Sequence, residues 1–67
     1  MTPINLDIIR NKRIEKGISL EKMAKLLSLA NGSVYYKREN GDYKFRPEEL
    51  PILARTLECD LLIFFEQ

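Results

Sequence analysis

Apolar residues recur along the chain at helical spacing and are cut into short runs by glycine, proline, asparagine and serine. Leu6, Ile9 and Arg13 share one face with a period near 3.6, and Ile14 lies beside them. Asn5 suits an N-cap, Asp7 the positive end of the helix dipole and Gly17 the C′ position, so a first helix is expected over about residues 5–16. Leu20, Met23, Ala24 and Leu27 then follow the i, i+3, i+4, i+7 pattern behind Ser19, a good N-cap with Glu21 in the first turn. The break at 28–32 ends on Asn31, which can cap a third helix over Gly32–Glu39, stopped by Asn40-Gly41. Residues 42–46 read as a loop, with Tyr43 and Phe45 expected to pack it onto the core. Leu50, Leu53, Ala54 and Leu57 form the stripe of a fourth helix, with Pro47 at its N1 position and Glu48 and Glu49 behind it. Pro51 lies so near the start that it removes at most one helical bond. Asp60 can cap a last short helix, Leu61–Phe65. No alternating strand pattern or repeat interrupts this order, so the expected fold is all-α with five helices.

Sixty-seven residues make one domain, expected over 1–67, which must keep its core small and its loops short. A hydrophobic share of 45% is that of a globular domain and argues against disorder. Cys59 stands alone, so no internal disulfide forms; it reads as a small buried hydrophobe. The start, MTPINLD, lacks the basic and apolar blocks of a signal peptide, and no apolar run reaches the ~18 residues of a membrane span. A cytoplasmic protein without a membrane partner is expected. There is no histidine, no metal-ligand spacing, no glycine-rich phosphate loop and no paired-carboxylate pocket. These absences argue against an enzyme and give no reason to expect a cofactor, a metal or a small-molecule ligand.

Net charge changes the picture only once it is divided. Residues 10–46 carry ten basic side chains against four acidic ones, a net +6, and the rest of the chain carries one against six, a net −5. One part of the molecule can therefore face a polyanion while another does not. Lys12, Lys16, Lys22 and Lys25 read as solvated, which leaves attention on the third helix and the loop after it. That helix is too polar to be buried, and a short helix with a spare polar face fits the major groove of B-DNA. Lys37 and Arg38 can reach guanine edges or phosphates, and Tyr36 can bond phosphate or pack on a thymine methyl.

The ordered set of residues resembles a known family. Residues 10–19, RNKRIEKGIS, followed by Met23-Ala24 and Leu27, are similar to the first two helices of the phage repressor and Cro type of helix-turn-helix, the XRE-like domain. Glu39-Asn40-Gly41 resembles the Glu-x-Gly that closes that family's recognition helix. Pro47, Leu50, Leu53, Ala54 and Leu57 match its fourth helix and residues 60–65 its fifth, so the likeness spans about residues 6–65. The resemblance implies a compact five-helix repressor-like domain with the helix-turn-helix at helices 2 and 3. It implies a small regulator, of the repressor kind, that binds double-stranded DNA sequence-specifically in a bacterial or phage-encoded setting. Base reading would then fall to Asn31, Gly32, Ser33, Tyr36 and Lys37. Phosphate contacts would come from Ser19, Arg38, Asn40, Lys44 and Arg46, while Arg13 pairs with Glu39 to brace the recognition helix. A homodimer on a palindromic operator is also implied, and the apolar run at 61–65 supplies Leu61, Ile63, Phe64 and Phe65 as interface candidates.

Three departures bear on that pattern. Gly32, in the reading region, has no side chain and can offer only close approach or a backbone N–H. Leu20 stands where the family usually has a glutamine that touches the DNA backbone. The turn before the third helix is about one residue longer than usual, because Val34 lies five residues before Glu39; either Val34 or Tyr35 can be the buried residue there. Leu20 and the Tyr35-Tyr36 pair also suit a rival, a helix-turn-helix that has left DNA and docks another regulator or a toxin.

Overall fold

A computed structural model describes residues 4–66; residues 1–3, which belong to the N-terminal reading above, and residue 67 lie outside the described residues. The chain forms α1 (Leu6–Glu15), α2 (Leu20–Leu26), α3 (Gly32–Glu39), α4 (Glu49–Thr56) and a 3-10 helix, Leu61–Phe65, with no strand among the described residues. The expected fifth α-helix is thus a tighter 3-10 segment. Five residues are short enough for that winding, which suits helical pieces of this length.

The caps explain where the helices begin. The Asn5 side chain accepts from the N–H groups of Asp7 and Ile8, Ser19 from Lys22, Asn31 from Val34, and Asp60 from Leu62. Helix α4 starts two residues later than Pro47 suggested. Pro47 and Glu48 form a turn ahead of it, and the Glu49 carboxylate reaches back to accept the Arg46 N–H at 2.8 Å.

The stops share one device. After each α-helix a residue adopts left-handed backbone: Gly17, Ser28, Gly41 and Glu58, with φ of +67°, +60°, +92° and +54°. The next N–H then donates back to a carbonyl five residues earlier, Ile18 to Arg13, Leu29 to Ala24, Asp42 to Lys37 and Cys59 to Ala54. This closes otherwise orphan carbonyls in the Schellman manner.

The core is built from Ile9, Met23, Tyr35, Leu53 and Phe64, one from each element, and Leu57 at the end of α4, all fully buried. Tyr35, not Val34, is the inward residue of α3. Its ring meets Phe45 edge-on at 6.1 Å between centroids, which ties the 42–46 loop down; Tyr43 stays half exposed. Phe64, expected at a dimer interface, is instead wholly in the core, and Leu62 is the member of that run turned outward, at 71% exposure. Ile14, expected beside the apolar face of α1, is also exposed. The start of α1 and the stretch after the 3-10 helix meet where the Asn5 amide donates to Glu66 O at 2.9 Å.

Candidate nucleic-acid interface

Helices α2 and α3 pack on one another across a turn set by Ser28 and Asn31. Gly32 sits at the contact. It is buried, and its N–H donates to the Glu21 carboxylate at the start of α2. A Cβ at Gly32 would displace that carboxylate and come 3.1 Å from the Glu21 backbone nitrogen, tighter than ordinary contact, so glycine suits this close approach. Gly32 therefore has neither open surface nor a free N–H for a base, contrary to the expectation above.

The two faces of α3 divide by period. Gly32, Tyr35, Arg38 and Glu39 are buried, whereas Ser33, Tyr36, Lys37 and Asn40 at its end are exposed. The exposed set is spaced i, i+3, i+4, i+7 and makes one outward stripe. Asn31 is exposed too, but its side-chain oxygen holds the Val34 N–H, leaving the amide NH₂ free to point outward. Ser19 is exposed with its oxygen occupied by Lys22 N–H, so its hydroxyl proton is what it can offer.

The inward face is held by ionic contacts. Arg13 grips Glu39 through two bonds, Nε to Oε2 at 2.9 Å and Nη2 to Oε1 at 3.0 Å. It also donates to Ile18 O at 3.0 Å, and Tyr35 Oη donates to Glu39 Oε2 at 2.7 Å. The bonded carboxylate raises the Arg13 pKa against the opposing effect of burial. Burial first, then the bond to the Glu39 carboxylate, push the Tyr35 hydroxyl far above the ordinary tyrosine range.

Arg38 departs from its expected role. It is only 8% exposed and sits 3.4 Å from the Glu49 carboxylate, with Nη1 donating to Lys44 O at 2.7 Å. Its stem lies along the core and its charge is paired, so it does not reach phosphate. It ties the end of α3 to α4 and positions the loop between them, from which Lys44 and Arg46 project into solvent. The Lys37 ammonium lies 5.4 Å from the Tyr43 ring centroid, and the Asn40 amide donates to Asp42 Oδ2 at 3.3 Å.

Glu21 and Glu49 are the positioning residues that sequence reasoning missed. Both read as acidic residues in a helix's first turn, and in that role they are ordinary. Their partners, Gly32 N–H and Arg38, lie eleven residues away along the chain in each case. A glycine at the first position of α3 was the one sequence sign of a close approach there. A crevice opens between the N-terminus of α2 and the outer stripe of α3, with Leu20, Ser33, Tyr36 and Lys37 on its walls and Asp42 at its edge. Among the described residues no group of histidine, cysteine, aspartate and glutamate could hold a metal, and no helix is long and apolar enough to cross a membrane.

A family model described as Helix-turn-helix matches residues 9–64. No curated protein and no solved structure matches the chain.

Proposed function

The chain belongs to the helix-turn-helix family of the XRE type, a family of DNA-binding regulators, and from that premise we propose that it is a sequence-specific repressor that lays α3 in the major groove. The observation that carries this reading is the division of α3. Its inner face is fixed by the Arg13–Glu39 and Arg38–Glu49 pairs, so the outer stripe is presented on a rigid support. Ser33, Tyr36 and Lys37 read bases, with the Asn31 amide at the start of the helix. Lys44, Arg46, Asn40 and the Ser19 hydroxyl hold phosphates on either side.

A homodimer completes the proposal. The domain is 28 Å along its longest axis, and half-sites one turn apart on B-DNA lie about 34 Å from centre to centre. One copy therefore covers one half-site. The C-terminal run, with Leu62 exposed and Leu61, Ile63 and Phe65 half-buried, is the apolar surface available to join two copies. Phe64 takes no part in that contact.

A titration with random-sequence duplex at two salt concentrations tests the DNA reading. Binding is expected at low salt and should weaken along a clear log–log slope as counterions compete for phosphate. A chain that binds no duplex at low salt would instead have an outer stripe that docks a protein. The exposed Tyr36 and the two carboxylates beside the crevice, Glu21 and Asp42, are what that second reading has in its favour.

A further inference from the structure

The crevice between α2 and α3 has a composition that points to one kind of base edge. Two of the polar groups at its α2 end are occupied. The Ser19 oxygen holds the Lys22 N–H, and the Gly32 N–H is held by Glu21. What faces the opening is the half-buried side chain of Leu20 and the half-exposed ring of Tyr36, with the Ser33 hydroxyl and the Lys37 ammonium beside them. A polar residue at position 20 would carry hydrogen bonds across this wall, but leucine offers only contact area. The apolar feature that DNA shows in its major groove is the C5-methyl group of a pyrimidine.

We infer that Leu20 and Tyr36 form a pocket for a pyrimidine C5-methyl group, so that this domain distinguishes a methylated from an unmethylated pyrimidine edge at the position Tyr36 covers. The inference rests on the DNA-binding reading and adds to it a specificity determinant outside the recognition helix. Thymine and 5-methylcytosine present the same methyl group there. Ser33 and Lys37 can donate to the thymine O4 acceptor, whereas Asp42 can accept from the cytosine N4 amine, so either base can be completed by a polar neighbour.

The experiment starts from sequences selected out of a random duplex pool with the intact chain. In the selected duplex each thymine is replaced by uracil, and each cytosine by 5-methylcytosine, one at a time. At one position per half-site, removal of the thymine methyl should weaken binding about fourfold, or addition of the cytosine methyl should tighten it by a similar factor, the scale of burying one methyl group. The first result assigns thymine and the second 5-methylcytosine. Leu20→Gln should bind duplex yet lose this discrimination. Tyr36→Asn, altered only at an exposed ring, should lose it as well, so a folding defect at position 20 does not decide the matter. Equal affinity at every position for methylated and unmethylated pyrimidines overturns the inference while leaving DNA binding intact. Failure to bind even unselected duplex overturns the DNA reading itself, and this inference with it.

Discussion

Glu39 is the residue on which the recognition helix turns. Its carboxylate is almost wholly buried, yet both oxygens are bonded, to Arg13 and to Tyr35. Burying a charge is costly unless its lone pairs are met, and here three donors meet them. Tyr35 bears the consequence most directly. Ionising its hydroxyl would create a charge in a site closed to water, and beside the Glu39 carboxylate, which is why its pKa stands far above the ordinary value of 10.0. In the unfolded chain the same hydroxyl titrates normally. The stabilisation from keeping Tyr35 neutral is therefore fully present below pH 10 and is lost as the pH rises beyond it, because only the unfolded state releases the proton. The difference amounts to about 1.4 kcal/mol per pH unit for one proton. Tyr35→Phe should be less stable than the parent at pH 8 by about 1.5 to 3 kcal/mol, for the lost bond to a charged acceptor. It should also show a shallower decline in urea midpoint above pH 10. Parallel declines in the two proteins would show that Tyr35 ionises freely in the folded state.

At the level of the elements, caps and stops decide more than helix propensity does. Asn5, Ser19, Asn31 and Asp60 could be read as caps from residue type and position, and the structure uses all four. Gly17 and Gly41 announced two of the left-handed stops. The other two fall on Ser28 and Glu58, residue types that give no such notice. A serine with φ of +60° carries a steric cost of roughly 1–2 kcal/mol, which glycine does not. Glycine also gains freedom in the unfolded chain, which takes back about 0.4–1 kcal/mol. Ser28→Gly should therefore stabilise the domain by roughly 0.5–1 kcal/mol and raise its melting temperature by about 2–8 °C. An unchanged or lower midpoint would mean that the turn between α2 and α3 does not hold Ser28 in that conformation. The limits of sequence reading are similar elsewhere. Periodicity placed the core faces of α2 and α4. It could not reveal that Arg38 turns inward, because its partners Glu49 and Lys44 O are brought near only by the fold. The late start of α4 was hidden for the same reason. Pro47 is compatible with a first helical turn or with a turn before the helix, and the Glu49 bond to Arg46 N–H selects the second.

Across the whole molecule the charge separation read from the chain survives with fewer participants. Within the basic segment, Arg13 and Arg38 are committed to Glu39 and Glu49, Arg10 lies 3.3 Å from Asp7, and Lys16 lies 2.8 Å from Glu58. The Lys16 bond also holds the exposed Glu58 carboxyl below its usual pKa. Lys12, Lys22, Lys25, Lys37, Lys44 and Arg46 have no ion-pair partner within 4.0 Å among the described residues. Of these, Lys44 and Arg46 stand on a loop that is itself anchored, by Phe45 in the core and by the Arg38 bond to Lys44 O. An anchored pair of cations loses little freedom on binding and is indifferent to base sequence. Replacing both with alanine should therefore weaken every duplex by the same factor and lower the slope of log affinity against log salt by about 2, close to one unit for each phosphate contact removed. Ser33→Ala or Lys37→Ala should instead reorder the preference among duplexes, since those side chains lie on the outer stripe of α3. A double alanine variant whose loss depended on sequence would move base reading into the loop. An unchanged salt slope would remove Lys44 and Arg46 from the phosphate contacts altogether.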